Sequence, residues 1–205
     1  MVGKRNVRFY PVTAERWVDL EQLFGPRGAC SGCWCMWYRI KRSEWSQNSN
    51  EGNRNALKRI VDSGNVPGLL AYVDDEPAGW VSIAPREEFS SLERSHVLKR
   101  VDDQPVWSIV CFFVSRAHRR QGLSRMLVRA AVDYAAGQGA ERVEAYPVVR
   151  TPGVKFSAVD SFPGSQATFQ REGFREVARR SPRRPIMRRR VQRRGRKPKP
   201  THPLS

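Results

Sequence analysis

Little in this chain favours a membrane-bound or exported protein. No run approaches the ~18 consecutive apolar residues that would suggest a membrane span. The N-terminus, MVGKRNVRFYPVTAERW, has no apolar stretch of the kind a secretory signal needs, so a cytoplasmic protein with no membrane association is expected. Cysteine is scarce, with four residues at Cys30, Cys33, Cys35 and Cys111. Without a secretory context they are not read as a disulfide framework. Cys30-x-x-Cys33 is half of a structural zinc site. No second Cys-x-x-Cys or His-x-x-x-His follows, and the three histidines, His96, His118 and His202, are scattered; no metal is expected. Two well-known phosphate loops are absent too. There is no Gly-Lys-Ser/Thr and no Gly-x-Gly-x-x-Gly, which excludes a Walker A loop and a Rossmann dinucleotide turn.

Basic charge, by contrast, is abundant. The 205 residues carry a net +17. Twelve Lys and Arg and no acid lie between Arg179 and Lys199, and subtracting these 12 from +17 leaves +5 on the rest. The length suits one domain. The expected division is a folded domain over 1–178 and a basic, flexible tail over 179–205. The same charge makes residues 179–199 a candidate surface for nucleic acid or another polyanion, by counterion release.

Periodicity gives the elements. VRFYP (7–11) reads as a strand, and Trp17, Leu20, Leu23 and Phe24 recur at helical spacing up to Gly25-Pro26. A second helix runs over 53–64. Leu69 to Ile83 reads as a hairpin turning at Asp74-Asp75-Glu76-Pro77, and a short helix is expected near Leu92. VWSIVCFFV (106–114) is apolar on both faces, as central strands are. Leu123, Met126, Leu127, Ala130, Ala131 and Tyr134 form one helical stripe. A strand over 141–149, a short helix ending at Gly173, a strand from Phe174 and a candidate strand in RPIMRR complete an α/β (α+β) domain with a mixed sheet.

The junction HRRQGLS (118–124) joins a buried strand to an amphipathic helix. A helix that starts after a glycine leaves its first N–H groups without partners, and the dipole adds partial positive charge. Together they suit phosphate. Gly122 lets the backbone approach an anion, and Arg119 and Arg120 add charge-assisted hydrogen bonds. The alternative is an ordinary connection with surface arginines.

FFVSRAHRRQGLSRMLVRAAVDYA resembles the acetyl-coenzyme-A signature of the GNAT N-acetyltransferase superfamily, Arg/Gln-x-x-Gly-x-Gly/Ala after an apolar strand end. Arg119, Gly122 and Ser124 fall on the defining positions, with Ser124 in place of the usual Gly or Ala. Gly173-Phe174 and the Leu69–Ile83 hairpin match as well, and the similarity runs over roughly residues 7–190. The resemblance implies a mostly antiparallel sheet flanked by helices and acetyl-CoA as donor. It also implies direct transfer of the acetyl group to a primary amine in a ternary complex. Backbone groups of Phe112, Phe113 and Val114 would bind the pantetheine arm and the acetyl carbonyl. Those of Arg120, Gln121, Gly122, Leu123 and Ser124 would bind the pyrophosphate, with charge from Arg119. Members often use a tyrosine acid where this chain has Phe169, and some use a glutamate base where it has Ser108. Tyr146 and Glu144 are the expected substitutes as catalytic residues, against a purely structural role. The segment between the first two helices lines the acceptor pocket in this superfamily, which makes Trp34, Met36, Trp37 and Tyr38 the expected acceptor walls. The expected acceptor is a small-molecule amine. An RNA-linked or protein acceptor recruited by the basic tail, a non-catalytic acyl-CoA-binding module and a homodimeric assembly stay open.

Overall fold

The computed structural model describes residues 5–150, 152–153, 155 and 157–191. The strands are β1 (Val7–Pro11), β2 (Gly68–Val73), β3 (Glu76–Pro85), β4 (Trp107–Val114), β5 (Arg142–Ala145), β6 (Arg175–Arg179) and β7 (Pro185–Arg190). They form one sheet in the order β1-β2-β3-β4-β5-β7-β6. Every neighbouring pair is antiparallel except β4–β5, which is parallel. The helices are α1 (Trp17–Phe24), α2 (Arg42–Asp62), α3 (Ser90–Glu93), α4 (Leu123–Gly137) and α5 (Gln166–Arg171).

The period-2 pattern of β2 explains the layering. Leu69, Ala71 and Val73 face the α4 side, where they pack with Val81, Ile83, Ile109, Leu127 and Ala131. Leu70 faces the other side with Trp80, Leu20, Leu57 and Trp17 from α1 and α2. The hairpin turns on Asp74 and Asp75, both at positive φ (50° and 70°), the geometry that matches the right-handed strand twist. The buried face of α4 is Leu123, Leu127, Val128, Ala131, Val132 and Ala135. It is rotated from the expected stripe, because the β-branched Val128 and Val132 go inward while Met126, Ala130 and Tyr134 sit at its border.

Three expectations need correction. α2 begins at Arg42 rather than 53, with a break at Ser49 (φ 55°, ψ −164°); its first turns carry one apolar residue, Trp45, too few to show a periodicity. β5 ends at Ala145, four residues early, just before Pro147, which has no N–H to donate to a ladder. The boundary at 178 and 179 also cuts through the sheet. Residues 185–190 form β7 between β5 and β6, because Pro185, Ile186 and Met187 are buried and override the charge around them. Residues 192–205 of the expected tail lie outside the described residues.

Candidate functional site

The pairing of β4 with β5 is short. Only Trp107, Ser108 and Ile109 have partners, Val143, Glu144 and Ala145, although β4 runs on to Val114 along β3. Beyond Ile109 the two parallel strands part, so one edge of β4 is free of strand partners. The Ser115 N–H bonds the Ala78 carbonyl on β3. Alternation therefore turns the Val114 amide to the open edge, along with that of Phe112. The Phe112 N–H is taken by the Phe162 carbonyl at 2.7 Å. The Val114 carbonyl accepts from Arg119 Nε at 3.1 Å.

The junction continues from this edge. After one turn at Arg116–His118, Arg120 and Gly122 both take left-handed backbone (φ 62° and 79°). Two left-handed residues so close together bend the chain into a concave run of amides ending on α4, a form that suits anions. Gly122 is the N-cap of α4 and has no side chain to cap it. Nothing lies within 4 Å of where its Cβ would be, so glycine is required here by conformation and not by crowding. Arg119, Arg120, Gln121, Gly122 and Ser124 are exposed, whereas Leu123 is buried as an anchor. Gln121 is held by its bond to the Ala117 carbonyl and by Arg5. Among the described residues Arg116, Arg119 and Arg120 form no ion pair, while Arg125 and Arg129 share Glu172. The loop therefore presents free amides and uncompensated positive charge at one place.

A cavity of about 310 Å³ adjoins the open edge, with Val110, Cys111 and Phe113 of β4 in its wall. Of the four expected acceptor walls, Trp37 and Tyr38 line it. Trp34 and Met36 do not. They are 3% and 2% exposed and belong to the core beneath α1. Trp34 stacks on Trp17 at 6.1 Å and donates Nε1 to Asn50 Oδ1 at 2.6 Å. Left-handed backbone at Trp34 and Cys35 leads into a single tight turn over Met36–Tyr38, whose successive side chains point in different directions, Met36 to the core and Trp37 and Tyr38 to the cavity.

All four cysteines border this cavity, and all are free thiols. Cys35 Sγ lies 3.4 Å from Cys111 Sγ and accepts from Trp80 Nε1 at 3.2 Å. Burial pushes the Cys33 thiol up to about 11. The hydrogen bond with Cys35, together with burial, holds Cys111 well above its ordinary value. Among the described residues no group of three or more His, Cys, Asp or Glu could hold a metal ion.

Tyr146 and Glu144 are brought together, but away from solvent; each is 1% exposed. The Tyr146 hydroxyl donates to Glu144 Oε2 (2.8 Å), receives Arg86 Nη1 (2.7 Å) and lies 2.8 Å from Ser108 Oγ. Arg188 grips Glu144 Oε1 through Nε and Nη2 at 2.9 and 2.7 Å. Burial, with the Glu144 carboxylate beside it, raises the Tyr146 pKa far above its ordinary value. A saturated, solvent-free pair beside two guanidinium groups fits a structural clamp and not an acid and base that meet substrate. Phe169, at the position of the absent tyrosine, is wholly buried against Phe112 and Phe174.

Trp45, Val148, Phe162 and Arg184 also line the cavity. Trp45 sits in a stretch with no apolar rhythm, and Arg184 in a run of charge that reads as tail, so nothing local singled them out.

The family model described as the Acetyltransferase (GNAT) family matches residues 34–154, more than half of the chain. No curated protein matches. The fold resembles that of an acetyltransferase of the GNAT family from Listeria monocytogenes 4b F2365 (TM-score 0.56, 10% identity, covering 90% of this chain and 95% of that one). It also resembles the PaiA N-acetyltransferase from Thermoplasma acidophilum in complex with coenzyme A (TM-score 0.50, 12% identity, 91% and 99%). A third similar structure is the aminoglycoside N-acetyltransferase AAC(6')-Iy in complex with CoA (TM-score 0.53, 14% identity, 87% and 94%).

Proposed function

The chain belongs to the GNAT acetyltransferase family, with acetyl-CoA as donor, and on that premise we propose that it is an N-acetyltransferase. Its acceptor is a small primary amine, and transfer is direct, within a ternary complex. One observation carries the reading: exposed left-handed Gly122 opens α4 beside an unpaired strand edge, and that edge borders the aromatic cavity. The amides from Arg120 to Ser124, with charge from Arg119, suit the diphosphate of coenzyme A. The β4 edge at Phe112–Val114 suits the amide-bearing pantetheine arm, which would displace the Phe162 carbonyl from the Phe112 N–H and Arg119 from the Val114 carbonyl.

The Val114 N–H is the donor for the oxygen that becomes negative when the amine adds to the acetyl carbonyl. The N–C bond forms as the C–S bond breaks, the amine proton ends on the departing sulfur, and the products are an amide and a free thiol. A cysteine-bound acetyl intermediate is disfavoured, because Cys33 and Cys111 are held in the thiol form. Tyr146 and Glu144 position β5 in this reading and do not exchange protons with substrate.

The test pairs calorimetry of acetyl-CoA binding with thiol release against a panel of amines, for the wild type and Gly122→Val. A β-branched residue at positive φ is strained whatever the space around it. Loss of two charge-assisted amide contacts would raise the acetyl-CoA Kd by about 10²-fold. Unchanged affinity in the variant, or no binding by the wild type, refutes the site.

A macromolecular acceptor held through a polyanion is the second reading. It is supported by a groove of about 730 Å³ lined by Arg142, Arg175, Arg188, Arg189 and Arg190, with Asp102 the one acid. In the sequence β7 is followed by the basic residues 192–199. A steep fall of RNA affinity with salt would support it; no RNA binding at low salt refutes it.

A further inference from the structure

The acceptor cavity holds one cation without a counter-charge. Two charged side chains line it, Asp160 and Arg184. Asp160 is paired through one oxygen: its Oδ2 accepts from the Ser157 N–H (2.8 Å) and Oγ (3.0 Å), and Arg183 lies 3.1 Å from the same oxygen. Arg183 thus balances Asp160. Arg184 has no carboxylate among the described residues. Its one side-chain hydrogen bond runs from Nη2 to the neutral Tyr38 hydroxyl at 3.1 Å, and its Nε is buried without a partner. An arginine partly withdrawn from water, with donors unused, is costly unless an anion completes it. The rest of the wall is uncharged: Trp37, Trp45, Val110, Phe113 and Val148 give it an apolar face, beside the four thiols and Ser31. A volume of about 310 Å³ sits at the small end of ligand sites, enough for one compact molecule.

We infer that the acceptor is an amine that also carries a carboxylate on an apolar body, in the first instance a free aromatic or aliphatic amino acid. Arg184 and Tyr38 receive the carboxylate. The apolar body lies against Trp37 and Trp45, and the amine faces β4 at Val110–Phe113. This deepens the N-acetyltransferase reading and rests on it. The planar fork of an arginine matches two carboxylate oxygens, and the Tyr38 hydroxyl, already bonded to that fork, adds a third donor on the same side. A purely cationic acceptor meets the opposite arrangement, an unbalanced positive charge in a low-dielectric wall, and is excluded by it.

The experiment compares L-phenylalanine with phenethylamine, the same body without the carboxylate. Thiol release from acetyl-CoA is followed with the full-length protein, Arg184→Met and Arg184→Lys. The wild type should favour phenylalanine by about tenfold or more in kcat/KM, the loss expected when an arginine keeps no partner. Arg184→Met should bring the two substrates towards equality by lowering the phenylalanine value, and Arg184→Lys should restore part of the difference. Equal values in the wild type, or a fall shared equally by both amines in Arg184→Met, overturns the inference. Thiol release with neither amine is failure of the transferase reading. In that case, calorimetry with the same two compounds decides this inference separately. Phenylalanine heat that Arg184→Met abolishes and Arg184→Lys partly keeps supports it. Absent heat, or equal heat for both compounds, overturns it.

Discussion

Replacing Glu144 by glutamine separates a clamp from a catalyst. The carboxylate sits between Arg188, bonded to Oε1, and Tyr146 and Arg86 at Oε2, the latter 3.5 Å away. In Glu144→Gln the shape stays. One oxygen becomes an NH₂ that must face a donor, and two guanidinium groups lose a shared counter-charge. Breaking a buried ion pair by removing one partner typically costs about 3–5 kcal/mol. Here each arginine keeps a second carboxylate: Arg86 has Glu93 at 2.8 Å, and Arg188 has Asp102 at 2.7 Å. Both of those acids are more than a third exposed and so compensate weakly. The expected loss is therefore towards the lower end, about 3 kcal/mol, which for a chain of this size means a Tm lower by roughly 6–12 °C. Tyr146→Phe removes a hydroxyl that joins Arg86, Ser108 and Glu144, and should cost about 1–3 kcal/mol as those groups lose partners in the dry. The assay is thermal unfolding beside kcat at saturating amine, taken well below either Tm. The expected result is a clear Tm loss in both variants with kcat within a few-fold of wild type. An unchanged Tm with kcat down a hundredfold or more would refute the clamp and restore acid–base roles to the pair.

Trp34→Ala should cost about 3–5 kcal/mol as a core truncation, seen as a lower Tm, while Trp37→Ala should leave Tm nearly in place and raise the acceptor KM; the reverse pattern would contradict the assignment of the two rings. Stability should also fall in acid through Glu172. Burial works against its charge, but hydrogen bonds from Arg129 and Arg125 outweigh it and hold the carboxyl below its ordinary value. A depressed folded pKa contributes stability above the unfolded value of about 4.3 and loses it as pH falls through the folded one. Urea midpoints between pH 7 and pH 3 should therefore drop, and drop less in Glu172→Gln; parallel curves would remove Glu172 from the account. Cys33 and Cys111 should react slowly with an aromatic disulfide at pH 8, and all four thiols rapidly in guanidinium, because the first two are held protonated when folded. Four fast thiols in the native protein would show the cavity to be more open to water than its contacts imply.

What the sequence disclosed, and what it hid, follows the range of each signal. The β2–β3 hairpin, β4 and the Gly122 junction are local: alternation, a β-branched apolar run, and one glycine at the start of a stripe. The junction proposed to take the diphosphate could be picked out from seven consecutive residues. The cavity could not, since it is assembled from Trp37 and Tyr38, from Trp45 on α2, from β4 and from Arg184 beyond β6. Reading Trp34, Met36, Trp37 and Tyr38 as one wall missed the tight turn over Met36–Tyr38, which splays successive side chains and leaves Met36, with Trp34, in the core. RPIMRR was legible as a candidate strand, but arginine density put it in the tail and outside the domain; burial of Pro185, Ile186 and Met187 decides the structure, and the flanking charges face outward or find Glu144 and Asp102.

The position of the buried network has its own logic. Ser108 and Glu144 are register partners in the short ladder that joins β4 to β5, and Tyr146 is the first residue past its end. Three paired residues are a weak join, and one step further the strands must separate to leave the β4 edge free. Hydrophobic contacts alone would let β5 slide or close against β4, because they have no direction. Hydrogen bonds and ion pairs do. Arg86, on the turn after β3, and Arg188, on β7, hold Glu144 from both sides, tying β5 to the elements that flank it at the point where the fork opens. Tyr146 and Glu144 are the expected substitutes for the acid and base absent at Phe169 and Ser108, but in the proposed function their burial gives them a different role: they fix the angle at which β5 leaves β4. Loosening them should therefore raise the acetyl-CoA KM before it lowers kcat, a separation that a group exchanging protons with substrate would not produce.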